Sequence, residues 1–128
     1  MKPEMLLLLW AVVLMFVQML IAAQGAFMQV GLGTLAGNRD NMPALTGWAG
    51  RAQRAHRNMM ENMVLFVALV LLVIAAGKTN QMTVLGAELF FWARVAYALI
   101  YLAGWPWVRT LAWFVSVVGM VLIAIQLF

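Results

Sequence analysis

Apolar residues fall in four long runs separated by short polar stretches. The first goes from Met5 to Ala23, broken only by Gln18, and stays apolar to about Val30. About 20 apolar residues rising 1.5 Å each cross a bilayer, so this run is long enough to span. Lys2 before it and the small residues Ala22, Ala23, Gly25 and Ala26 give it the outline of a signal peptide. It is longer than the usual apolar region of about 7–15 residues, and an uncleaved span is expected. Gly33 to Gly50 is the one extended polar stretch, glycine-rich with Pro43, and reads as an irregular loop. The spacing of Gly33 and Gly37 resembles a helix-packing motif but is expected to lie in that loop.

The second run, Met63 to Ala76, is uninterrupted, and its helix is expected to begin earlier, around Trp48 to Ala52, with Thr46 or Gly47 as cap. Gly77-Lys78-Thr79-Asn80 reads as a turn, and a third helix follows from about Val84 to Ala103, carrying Glu88 and Arg94. Gly104-Trp105-Pro106 breaks the chain again, with Pro106 suited to the first turn of a fourth helix ending near Leu127. The expectation is an all-α integral membrane protein. A single domain over residues 1–128 holds four spans at about 5–30, 51–77, 84–103 and 107–127, forming a four-transmembrane-helix bundle.

Composition supports this and narrows the chemistry. Of the 128 residues 66% are hydrophobic and 9% charged, whereas soluble domains carry about a quarter charged residues. The net charge of +4 has no polar domain to display it, so no nucleic-acid partner is expected. The absence of cysteine excludes a disulfide framework, a thiolate metal cluster and a cysteine nucleophile, and a single histidine, His56, offers no metal site. Arg39, Arg51, Arg54, Arg57 and Arg109 flank the first and third loops, against Lys2 and Lys78 on the other side. By the positive-inside rule those loops are expected in the cytoplasm and both termini outside.

Charges concentrate in RAQRAHRNMMEN, Arg51 to Asn62, at the opening of the second helix. At 3.6 residues per turn Arg54, Arg57, Asn58 and Glu61 share one face. A juxtamembrane anchor for anionic lipid explains the arginines, but explains Asn58 and Glu61 poorly; a binding site accounts for all four. Counted from the outer helix ends, Glu61 lies roughly 24 Å down, Tyr101 about 25 Å and Tyr97 about 20 Å. Arg109 belongs to the same layer. Arg94 lies near mid-membrane, where an arginine costs at least about 2.5–3.5 kcal/mol, so it is expected to snorkel toward that layer and pair with Glu61. The second and fourth helices both present N-termini there, and helix N-termini with arginines make an anion site. The ligand implied is small and polyanionic with a cationic or amide portion, while an apolar second substrate arrives from the bilayer.

At these residues the sequence resembles the MAPEG family, membrane-associated proteins in eicosanoid and glutathione metabolism. RAHRNMMEN at Arg54 to Asn62 looks like that family's R-A-H-R-N-x-x-E pattern, and the resemblance continues in ARVAYALIY, Ala93 to Tyr101, and WPWVRT, Trp105 to Thr110. It implies a homotrimer of four-helix protomers that binds glutathione as cosubstrate between neighbouring copies on the cytoplasmic side. Carried over by position, Arg57, Asn58 and Glu61 would be glutathione ligands, Arg94 would hold Glu61, and Tyr101 would bond the peptide. Arg54 and Tyr97 line the same faces. Arg109 stands where catalytic members keep the arginine credited with stabilising the thiolate, and Thr110 replaces a serine that is the rival thiol partner. Tyr97 stands where prostaglandin-isomerising members have histidine, which argues against that activity. The layout is similar to small bacterial members, so a bacterial inner membrane is implied.

Three functions follow as expectations. The first is a membrane-bound glutathione-dependent transferase or peroxidase for lipophilic electrophiles, its thiolate stabilised by Arg109. The second is a non-catalytic membrane protein binding lipid or glutathione. The third is a small proton-coupled exporter, whose only candidate carboxylate, Glu88, lies about 6 Å from the outer end by helical rise and reads more simply as an interfacial neighbour of Lys78.

Overall fold

A computed structural model describes residues 1–128 and contains four helices: α1 (Pro3–Ala36), α2 (Gly47–Ala75), α3 (Gln81–Ala103) and α4 (Pro106–Ile125). Each is long and apolar enough to cross a membrane. The exterior carries Val64, Leu65, Leu99 and Leu111, as lipid contact requires, and every span is a helix whose backbone groups bond within it. The protein is a multi-pass integral membrane bundle.

Besides α2, which runs Gly47–Ala75 against the expected 51–77, three boundaries differ from expectation. First, α1 continues beyond Val30 to Ala36, across a break at Gly31 where φ is 81°. Only glycine takes that conformation without strain, and the chain bends there but resumes its helix. Gly33 is therefore helical, and within the protomer no neighbouring atom lies within 4 Å of a Cβ built on it. Second, α3 starts at Gln81, ahead of Val84, because Asn80 and Thr83 form a capping box: the Asn80 side chain accepts from Met82 N and Thr83 N, and Thr83 Oγ1 accepts from Asn80 N. Third, α4 stops at Ile125, short of Leu127. Thr46 is the N-cap of α2, and its side chain makes no capping bond. The backbone of Thr46 is instead held by Gln29, which accepts from Thr46 N at 3.0 Å and donates to Thr46 O at 2.7 Å.

Both termini and the α2–α3 turn meet at one end of the bundle. There Lys2 Nζ donates to Thr79 Oγ1, Lys78 Nζ to Leu127 O, and Asn80 Nδ2 to Gln126 Oε1. Buried Glu4 accepts from Thr83 Oγ1 at 2.8 Å. Beneath this polar layer lies the main core, where Phe66 and Phe90 stack with ring centroids 3.9 Å apart among Met63, Val70, Val73 and Ile123. α3 and α4 meet backbone to backbone where Gly86 faces Gly119: a Cβ on either would sit 2.5 Å from the other's carbonyl oxygen. The α1–α2 loop and the α3–α4 turn form the opposite end, which holds the arginines.

Candidate functional site

At the loop end the core changes character. Ala55, Tyr97, Tyr101 and Ala112 form a small cluster of their own, and small residues leave space beside two large polar rings. The rings lie one above the other on α3, their centroids 5.5 Å apart, because Tyr97 and Tyr101 are four residues apart and share a helix face. The Arg109 guanidinium, from the first turn of α4, lies over the Tyr101 ring at 4.6 Å. The Arg54 guanidinium lies 5.9 Å from the same ring centroid, and its Nε donates to the Tyr101 hydroxyl at 3.1 Å. Arg94 lies against the face of Tyr97 at 4.2 Å. Cation–π contacts of this kind are worth about 0.5–1 kcal/mol when exposed and about 2 or more when desolvated.

Asn58, Tyr97, Arg109, Thr110 and Trp113 line a cavity of about 220 Å³ between α2, α3 and α4. The structure thus brings together four residues singled out from the sequence, with Tyr101 and Arg54 adjoining. Thr110 Oγ1 donates to Pro106 O at 3.1 Å, so that proton is directed into its own helix. Arg57 and Glu61 are exposed on the surface of α2.

Two expectations are corrected. Arg94 does not pair with Glu61 in the protomer. It is 1% exposed, and its Nε and both Nη atoms are buried without a hydrogen-bond partner, while Glu61 stays at the surface. The face of Tyr97 holds the guanidinium in place of a carboxylate. Secondly, α2 begins at Gly47, so Arg54 lies roughly 10 Å along the helix from its N-terminus. The macrodipole acts within the first turn, so α4 alone brings its N-terminus to the site.

Other residues support the site. Asn62, 8% exposed, donates to Asn58 O at 2.8 Å and Oδ1 at 3.2 Å, fixing the side chain that enters the cavity; its position one turn beyond Asn58 was the available signal. Arg51 Nε donates to Leu102 O at 3.0 Å, satisfying an orphan carbonyl at the end of α3. Arg39 similarly donates to Leu35 O at the end of α1. These two arginines close helices, whatever they also do for topology. Trp113 completes the cavity wall from α4. Glu88 is exposed on the bundle exterior and gives the exporter reading no support.

Three guanidinium groups thus surround two tyrosine rings, one of them buried without an acceptor, at the end of a four-span bundle. This defines a membrane protein with a cationic, hydroxyl-bearing site opening near one bilayer face. The chain belongs to the MAPEG family, whose sequence profile matches residues 5–128. No curated protein and no solved structure matches it.

Proposed function

We propose that the protein is a membrane-bound glutathione-dependent transferase or peroxidase acting on lipophilic electrophiles, assembled as a homotrimer. The observation that carries this reading is the convergence of Arg109, Asn58, Tyr97 and Thr110 on one cavity, with buried Arg94 lacking an acceptor beneath it. A ligand with two carboxylates, an ammonium and two amides fits that donor set. Glutathione would supply the nucleophilic thiol, which titrates near 8.5 when free.

The chain's own residues would do the rest. Arg109, half-buried at the first turn of α4, favours the thiolate and stabilises negative charge as sulfur attacks. Asn58, held by Asn62, and Tyr101, held by Arg54, position the peptide. Exposed Arg57 and Glu61 extend the polar face of α2 toward a ligand carboxylate and ammonium. Because Thr110 is bonded to Pro106 O, Arg109 is the favoured thiol partner. The cavity of about 220 Å³ falls below the roughly 300–1,000 Å³ usual for small-molecule sites, which supports completion by a second copy. In this reading the loop end lies in the cytoplasm of a bacterial inner membrane, and the electrophile arrives from the lipid.

The test is conjugation of glutathione to a chlorodinitrobenzene by purified protein, with Arg109→Ala alongside. Turnover should fall by about 100-fold or more in the variant; equal turnover removes Arg109 from its role. Glutathione binding without turnover on any electrophile would favour the non-catalytic binder, and no binding at millimolar concentration would sink both.

A further inference from the structure

A second cavity, of about 130 Å³, lies between α1, α2 and α3. Nine of its ten lining residues are apolar, among them Leu14, Val17, Ala52, Ala98 and Leu99. The tenth is Gln18, 7% exposed, whose Oε1 is buried without a hydrogen-bond partner. An unpartnered amide oxygen among aliphatic side chains is costly, and nothing in the bundle's packing accounts for it.

We propose that this cavity binds a phenol-type lipophile, a ring-sized apolar group carrying one hydroxyl, taken sideways from the bilayer and held by Gln18. Size, polarity and depth each select this class. An apolar cavity of about 150 Å³ takes up a benzene-sized guest, and this one is close to that volume. A water molecule needs two to four polar partners, and the lining offers one. An acyl chain fills apolar volume but leaves the amide unbonded. A hydroxyl both donates and accepts, and so satisfies the amide in either orientation. Gln18 is fourteen residues along α1 from Glu4, or roughly 21 Å by helical rise, within a hydrocarbon core about 30 Å thick. Charged headgroups are excluded at that depth.

The site is distinct from the one on α2, α3 and α4. The two cavities share no lining residue, and Ala55, which lines the Gln18 cavity, packs with Tyr97 and Tyr101 between them. An occupant therefore does not reach Arg109, and the inference stands apart from the thiol chemistry.

The test uses the protein in lipid nanodiscs without glutathione, with para-fluorophenol and fluorobenzene followed by fluorine NMR and protein-free nanodiscs as the partition baseline. Para-fluorophenol should bind about tenfold more tightly than fluorobenzene, the worth of one hydrogen bond in an apolar site. Gln18→Leu should bring the ratio to about one, and Ala98→Leu, which fills the cavity, should abolish both. A ratio near one in the unaltered protein, or a preference that survives Gln18→Leu, overturns the proposal. Should Gln18→Leu not fold, Ala98→Leu decides: phenol binding retained in that folded variant also overturns it.

Discussion

The two ends of this bundle are made of the same four helices, and both bond most of their polar side chains, yet they differ in the polar groups they bury. At the termini end, buried Glu4 has Thr83, Thr83 is tied into the cap of α3, and Lys2, Lys78 and Asn80 each reach a partner on another part of the chain. The core below is closed by stacked Phe66 and Phe90. At the loop end Arg94 and Gln18 are buried with polar atoms unbonded, the core shrinks to two tyrosines and two alanines, and two cavities open. Native structures leave few buried polar groups unpaired, and those few call for an explanation. Here they gather where small side chains leave room for something else. The termini end bonds its buried polar groups within the bundle; the loop end leaves Gln18 Oε1 and the Arg94 guanidinium unbonded beside open volume.

Four substitutions probe that contrast. Arg109→Ala is expected to lower glutathione conjugation by about 100- to 1,000-fold while leaving the unfolding midpoint in detergent nearly unchanged; a large loss of stability would make Arg109 a packing residue. Phe90→Ala should act the other way, destabilising the bundle by about 2 kcal/mol or more in a denaturing-detergent titration. That is less than in a soluble core, because lipid is itself apolar and what is lost is packing. Little change would mean the termini end is no better packed than the loop end. Thr83→Val removes the donor to Glu4 and should cost about 1–3 kcal/mol in the same titration, whereas a neutral result would show that Glu4 finds another partner. The smallest effect is Gln18→Leu, expected to stabilise the ligand-free protein by about 1 kcal/mol or less, since an unbonded amide is replaced by an apolar side chain. Clear destabilisation would erase the difference between the ends.

Much of this was legible in the chain. Four apolar runs, Pro106 at a first turn and the Gly77 to Asn80 turn gave the bundle directly, because helix length and hydrophobicity are local properties. The family motifs located Asn58, Tyr97, Arg109 and Thr110, which share a cavity. Missed features depended on where side chains meet. Gln18 was visible only as a break in an apolar run; its isolation became clear once Ala52, Ala55 and Ala98 from two other helices surrounded it. Arg94 and Glu61 were matched by depth and charge, but depth does not say which way a side chain leaves its helix, and Tyr97 intervened. Gly33 and Gly37, counted with Pro43, suggest a loop from Gly33 that α1 in fact overruns to Ala36, and the one interruption of that helix is at Gly31, ahead of the expected loop. The early start of α3 was available in the Asn80–Thr83 spacing, a capping signal that apolar counting overlooks.

The close approach of Gly86 and Gly119 bears on the order in which the molecule assembles. α3 and α4 are joined by a turn of two residues and meet backbone to backbone, so their association closes a short loop at little entropic cost. The Glu4 contact to Thr83, by contrast, joins residues 79 positions apart, and such contacts cost more entropy to form and favour late steps. α1 and α2 are likewise neighbours in the chain, joined by the loop that Gln29 ties to Thr46, so each half of the molecule is a natural early hairpin and the contact between the two hairpins is the later step. Since α1 and α2 supply part of the Gln18 cavity's wall and α3 the rest, that cavity comes into being only when the two hairpins meet. Anything that occupies it touches both hairpins at once and so favours their association.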